Sequence, residues 1–137
     1  MNKKICLILT VVFMLSGIFQ LTLLASDMSL YNNNTNLTRT AFTITDTGEA
    51  IVSLSYYGYP NVTTGATITV KIEKRSMLIF WTDIITETVT VQGENYVKEL
   101  SYQLENTGTY RCTVEYVVSG TGGADDVLTF EDTKTYE

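Results

Sequence analysis

Residues 106–120 read NTGTYRCTVEYVVSG, and their period decides the fold. From Thr109 to Ser119 every second residue is apolar or aromatic: Tyr110, Cys112, Val114, Tyr116 and Val118. A period of two sends successive side chains to opposite faces of an extended strand, so this set shares one buried face. Glu105 to Gly108 before it and Gly120 to Gly123 after it carry the turn formers that bound such a strand.

The same alternation recurs on both sides. Thr38 to Thr45 aligns Phe42 with Ile44 and closes on Asp46-Thr47-Gly48. Ala50 to Tyr57 aligns Val52, Leu54 and Tyr56, and Gly58 to Gly65 is a loop holding the single proline, Pro60. Thr67 to Lys74 puts Ile68, Val70 and Ile72 inward and Thr69, Lys71 and Glu73 outward. Met77 to Val91 is long and is expected to break near Asp83 into two strands. Gln92 to Asn95 forms a hairpin-type turn before Tyr96 to Leu104, which aligns Leu100, Tyr102 and Leu104. Asp126 to Tyr136 ends the chain with Leu128 and Phe130 toward the core. Residues rich in Thr, Val, Ile and Tyr, with turns at this spacing and no sustained helical period, predict an all-β domain.

Tyr110 and Cys112 add a specific signature. In immunoglobulin-type sandwiches a tyrosine two residues before the second core cysteine folds its hydroxyl back onto the preceding corner. Tyr110 has that spacing, the right strand number and a glycine turn upstream, so it is assigned to a structural tyrosine corner. The partner cysteine is missing, because the second strand offers Val52 and Leu54. The predicted fold is an immunoglobulin-like antiparallel β-sandwich of seven or eight strands, following an N-terminal signal helix and lacking the bridge.

The N-terminus reads as an export signal. Lys3 and Lys4 precede a charge-free apolar run from Ile5 to Phe19, then small and polar residues at Ala25, Ser26 and Asp27. Basic, apolar, small and polar in that order is the pattern read by the translocon and signal peptidase. The competing reading is an uncleaved anchor, since Ile5 to Ala25 approaches the ~20 residues of a spanning helix. The expected organisation is a signal peptide over 1–25, a flexible polar lead-in over 26–37 and the sandwich over 38–137. The expected location is secreted or at the cell surface, with a membrane contact only through the leader if it is kept.

Charge and composition narrow the function. The chain carries nine basic against fifteen acidic residues, and losing the leader removes Lys3 and Lys4 with no acid. Such a surface repels nucleic acid and anionic lipid, so neither is expected as a partner. The chain has no histidine, which removes the usual general base and the commonest metal ligand. Its carboxylates, among them Asp46, Glu49, Asp83, Glu87, Glu94, Glu99, Glu105 and Glu115, scatter over turns and outward positions. Asp125-Asp126, with Glu131 and Asp132 nearby, lacks the alternating spacing of a Ca²⁺ loop and reads as a charged turn. No catalytic residue, cofactor or metal is expected. Cys6 leaves with the leader, so Cys112 is a lone thiol, read as a buried apolar filler.

Aromatic residues are the better binding candidates. Tyr57 and Tyr59 crowd the loop edge with Tyr56 and Pro60, and rigid amphipathic rings suit sugar or protein surfaces. Trp81, beside Phe80, is a third candidate, with core packing as the alternative for each.

The lysine-bearing leader, the strand ATITVKIEKR over 66–75, Trp81, GTYRCTVEY over 108–116 and the terminal TKTY over 133–136 resemble small exported β-sandwich proteins of Gram-positive anaerobes. The resemblance spans residues 40–137. That group mostly carries no assigned function, and it implies an extracellular setting and no catalytic residues. The expected function is a non-enzymatic interaction module for an extracellular protein or glycan. The alternative is a structural subunit or spacer of a surface assembly that pairs through an edge strand, with Leu128 to Tyr136 as that edge.

Overall fold

The computed structural model describes residues 32–137. The predicted signal helix over 1–25 and the first part of the lead-in lie outside the described residues. Seven strands follow in order: β1 Thr35–Ile44, β2 Glu49–Gly58, β3 Thr63–Ser76, β4 Phe80–Gln92, β5 Asn95–Gln103, β6 Gly108–Gly120 and β7 Asp126–Tyr136. They form a three-stranded sheet, β1-β2-β5, and a four-stranded sheet, β4-β3-β6-β7, with every pairing antiparallel. The links β2–β3, β4–β5 and β5–β6 each cross from one sheet to the other. The chain is a β-sandwich.

The period-two sets supply the core. Phe42, Val52, Leu54 and Tyr56 from one sheet meet Ile68, Val70, Ile72, Cys112, Val114, Tyr116 and Val118 from the other, all buried. Removing this apolar surface from water, at about 25 cal/mol per Å², stabilises the fold, and Cys112 sits in it as a free thiol. Buried tyrosines keep their hydroxyls bonded across the layers. Tyr116 Oη meets Thr40 Oγ1 at 2.7 Å, Tyr56 Oη donates to Gly93 O at 2.6 Å, and Tyr102 Oη donates to Glu87 Oε2 at 2.7 Å. Such bonds let amphipathic rings fill a core that an unpaired hydroxyl would penalise. At the other corner Tyr110 Oη donates to the Asn106 carbonyl, four residues upstream.

Three boundaries differ from the sequence reading. First, β4 is one strand and does not break near Asp83. Ile72 pairs with Ile85 while Glu73 pairs with Asp83, so Ile84 is one extra residue in a bulge. A bulge absorbs the extra residue while the ladder continues on both sides. Residues 77–79, assigned above to a strand, instead form the turn before β4.

Second, β3 begins at Thr63 rather than Thr67, which shortens the loop after β2. Third, the described part of the lead-in is ordered. β1 begins at Thr35, and the N–H groups of Asn33 and Asn34 each donate to the Asp126 carboxylate at 2.7 Å. The Asn34 amide donates to Ala124 O, and Thr63 Oγ1 donates to Asn34 O. Gly120 and Gly122 make room here, since a Cβ on either would strike Asn34 or Asn33. Composition suggested a spacer because Asn-rich segments usually bury little. Here a buried aspartate from the far end of the chain holds them.

Candidate functional site

The outward residues of β1-β2-β5 follow from parity once their inner partners are fixed. β1 sends out Leu37, Arg39 and Ala41, the central strand β2 sends out Ser53, Ser55 and Tyr57, and β5 sends out Val97 and Glu99. At Ser53 and Ser55 the central strand carries small side chains, flanked by the longer Arg39 on β1 and Val97 and Glu99 on β5. The result is a shallow trough of about 450 Å³ with Ser53 and Ser55 on its floor. Arg39 and Ala41 line one side, with Val97 and Glu99 on the other.

The floor is polar and partly self-bonded. Ser55 Oγ donates to Arg39 O and Ser53 Oγ donates to Glu99 Oε2, each at 3.3 Å. Tyr57 pairs with Leu37 on one side and Asn95 on the other, on the same face as Ser55 and one step beyond it. Its half-exposed ring, 38% accessible, lies on the trough's face beyond the lining residues. The arrangement offers an aromatic surface, hydroxyls, a guanidinium and a carboxylate along one face.

Tyr59 is equally exposed, but it lies past the end of β2. Its N–H donates to Thr63 Oγ1 at 2.9 Å, and its carbonyl accepts from the Val62 and Thr63 N–H groups. Its backbone thus fixes the short loop that follows Tyr57.

Trp81 does not join the tyrosines. It pairs with Arg75 at the far end of β3, on the other sheet and at the opposite end of the sandwich. The Arg111 guanidinium lies 4.4 Å from its ring centroid, and Arg111 bonds Glu73 Oε2 through Nε at 2.9 Å and Nη2 at 2.7 Å. Lys71 completes the cluster at 3.1 Å from Glu73 and 2.9 Å from Asp83. Asp83 and then Glu73 hold its ammonium above the usual lysine range. Cation and ring are mutually engaged, so this tryptophan belongs to an outer-face charge network rather than to the core.

Tyr110 and Cys112 are both buried. Burial first, and the Asp132 charge second, push the Cys112 thiol up to about 12. The acidic turn at 125–126 is also different in kind from a solvated charge. Asp126 is buried, and although burial opposes its ionisation, hydrogen bonds from Asn33, Asn34 and Thr35 outweigh that and hold it below the usual carboxylate range. Among the described residues no three His, Cys, Asp or Glu side chains lie close enough together to hold a metal ion.

β7 is an edge strand of its sheet. It carries Glu131, Asp132 and Lys134, the last two in a 2.9 Å ion pair, and β1 packs beside it. Charged side chains and a covering strand both discourage edge-to-edge pairing. Arg39, Ser53, Ser55 and Val97 were not singled out from the sequence. The signal that could have marked them is the pair of serines at outward positions of a strand that is otherwise aliphatic and aromatic.

Fold and surface define a β-sandwich with a shallow trough on the outer face of β1-β2-β5. No protein-family model matches the chain, and no curated protein is similar to it. Among solved structures the chain is similar to part of the crystal structure of Parabacteroides merdae beta-glucuronidase, with 12% sequence identity and a TM-score of 0.42. That likeness covers 74% of this chain and 13% of the enzyme.

Proposed function

We propose that this chain is an exported, non-enzymatic binding module that takes an extended glycan along the outer face of β1-β2-β5. The trough carries the reading: Ser53 and Ser55 on its floor, with the half-exposed Tyr57 two residues further along the same face of β2. A sugar presents an apolar ring face and a rim of hydroxyls. Tyr57 supplies the flat apolar surface, while Ser53, Arg39 and Glu99 supply donors and acceptors at the rim. The floor is open at the surface, as an extended chain requires.

Two observations support a binding role over hydrolysis. Glu99 is the single carboxylate lining the trough, and glycoside hydrolysis needs two flanking the scissile bond. The sequence also has no histidine to act as a base near neutral pH. Export rests on the basic-apolar-small order of residues 1–25.

The test is a glycan array followed by titration calorimetry on the strongest ligand. Tyr57→Ala is expected to weaken binding about tenfold, roughly the ~1.4 kcal/mol of one aromatic stacking contact. Ser53→Trp, which fills the floor, should abolish it, with both variants melting within a few degrees of the parent. Glycan binding that survives Ser53→Trp would remove the trough from the reading. Capture of a protein, with no glycan bound, would move the function to the protein-binding class.

A further inference from the structure

The β3–β4 hairpin ends in a tip unlike any other turn of this domain. Residues 77–79, Met-Leu-Ile, form the turn, and Phe80 opens β4. Their exposures are 85% for Met77, 81% for Leu78, 75% for Ile79 and 59% for Phe80. Ile84, the bulged residue of β4, adds a further exposed apolar side chain below them.

Local turn chemistry opposes this choice. Tight turns favour Gly, Asn, Asp, Ser and Pro, and this one has none at its three turn positions. Met77 adopts φ 57°, the left-handed region where a long side chain is unfavourable. The turn is nonetheless held in shape, because Arg75 Nε donates to Leu78 O at 3.0 Å and Nη2 donates to the same oxygen. Four large apolar side chains are thus displayed outward against both solvent and backbone preference. Residues that break local rules in this way mark function.

The surroundings say what the tip meets. Four consecutive apolar side chains at one hairpin end are all more than half exposed, and a fluid apolar medium covers them together. At the base stands Trp81, with Arg111 against its ring, while Lys74 lies over the Tyr110 ring and Arg75 is bonded to the turn. A tryptophan just behind an apolar tip matches the interfacial layer of a bilayer, where such rings settle at headgroup level. Charge is divided in the same sense. Residues 71–83 hold three basic and two acidic side chains, while the rest of 32–137 holds four basic against twelve acidic. The acidic body is kept off a lipid surface, and the hairpin is the part that can approach one.

We infer that the β3–β4 tip, Met77 to Phe80, is a membrane-inserting element that docks the domain end-on to a lipid bilayer. Four such side chains reach the ~5–10 Å below the headgroups typical of interfacial insertion. The tip lies at the opposite end of the sandwich from Tyr57 and on the other sheet, so it is independent of the glycan trough.

Trp81 is the single tryptophan of the chain and adjoins the tip, so its emission reports docking directly. The exported protein, as recovered from an expressing host, is titrated with phosphatidylcholine vesicles. A blue shift of Trp81 emission that persists at about 0.5 M salt, where surface charge is screened within a few ångströms, is expected. The double variant Leu78→Asp with Ile79→Asp should raise the lipid concentration for half-maximal shift at least tenfold. Its thermal melt should match the parent, since both positions are exposed; if it does not, Leu78→Ser with Ile79→Ser replaces it. An unshifted parent spectrum, or an equal shift in the variant, overturns the proposal. A parent that dimerises through the tip, with the dimer lost in the variant and no shift on vesicles, overturns it in favour of a protein contact. Glycan binding through the trough is unchanged by these variants, so the two proposals fail separately.

Discussion

Asp126→Asn should be among the most damaging isosteric substitutions outside the apolar core. The carboxylate sits buried at the start of β7 and accepts the Asn33 and Asn34 N–H groups, each at 2.7 Å. Those two bonds hold the chain just ahead of β1, whose Leu37 pairs with Tyr57 and whose Arg39 lines the trough. An amide in its place keeps one oxygen for one N–H and turns an NH₂ toward the other. One charge-assisted bond becomes neutral and one buried donor loses its acceptor. With charged bonds at roughly 1.5–3 kcal/mol and an unsatisfied group at roughly 1–3, the loss is about 3 kcal/mol. For a domain of this size that is a fall in Tm of about 10–20 °C.

The pH dependence provides an independent check. Hydrogen bonds to the folded carboxylate hold it below the range of the unfolded chain. The contribution is therefore complete above roughly pH 4 and is lost as acid lowers the pH through the folded value. Calorimetric melts of parent and variant should differ most near pH 7 and converge as acid takes the pH through the folded value. Hydrogen exchange at Asn33 and Asn34 should accelerate in the variant at neutral pH. Equal melting temperatures at pH 7, or a gap that does not close in acid, would refute the assignment.

Three further outcomes follow from the same geometry. Tyr110→Phe removes the bond to Asn106 O and should cost about 1 kcal/mol, read as a fall in Tm of about 5 °C with the core otherwise intact; an unchanged melt would show the corner to be ornamental. The Cys112 thiol, pushed up to about 12 by burial and then by Asp132, should resist a bulky disulfide reagent at pH 8 in the folded protein and react once urea unfolds it; rapid stoichiometric labelling of the native state would contradict its burial. Glu73→Ala frees Arg111 and Lys71, and should cost about 1–3 kcal/mol because Glu73 is buried while its partners are partly solvated. The same change should alter Trp81 emission as Arg111 leaves the ring, and an unaltered spectrum would show that Glu73 does not position that guanidinium.

Much of the architecture was legible in local pattern. Alternation alone sorted Val52, Leu54, Tyr56, Ile68, Val70, Ile72 and the 110–118 series onto the buried side, because a strand has only two faces and water is excluded from one. The Tyr110 corner was legible for a similar reason: its donor and acceptor lie four residues apart, so spacing constrains them. The single long β4 was harder to see, since a bulge and a break look alike until the partner strand sets the register at Ile72 and Ile85.

What lay beyond reach of the sequence shares one physical cause, distance along the chain. Asn33 and Asn34 read as spacer because the aspartate that orders them is about ninety residues away. The trough exists only because β1 and β5 flank β2, so small side chains at 53 and 55 are overlooked by longer ones from strands remote in sequence. Tyr57 and Trp81, chosen for the same aromatic chemistry, fall at opposite ends of the sandwich once the strands cross between sheets. Sequence by itself determined a two-faced, all-β chain, because that feature depends on period and near neighbours. Tertiary structure decided which surface residues meet, since strand order and register are set by packing between segments that local pattern treats as independent.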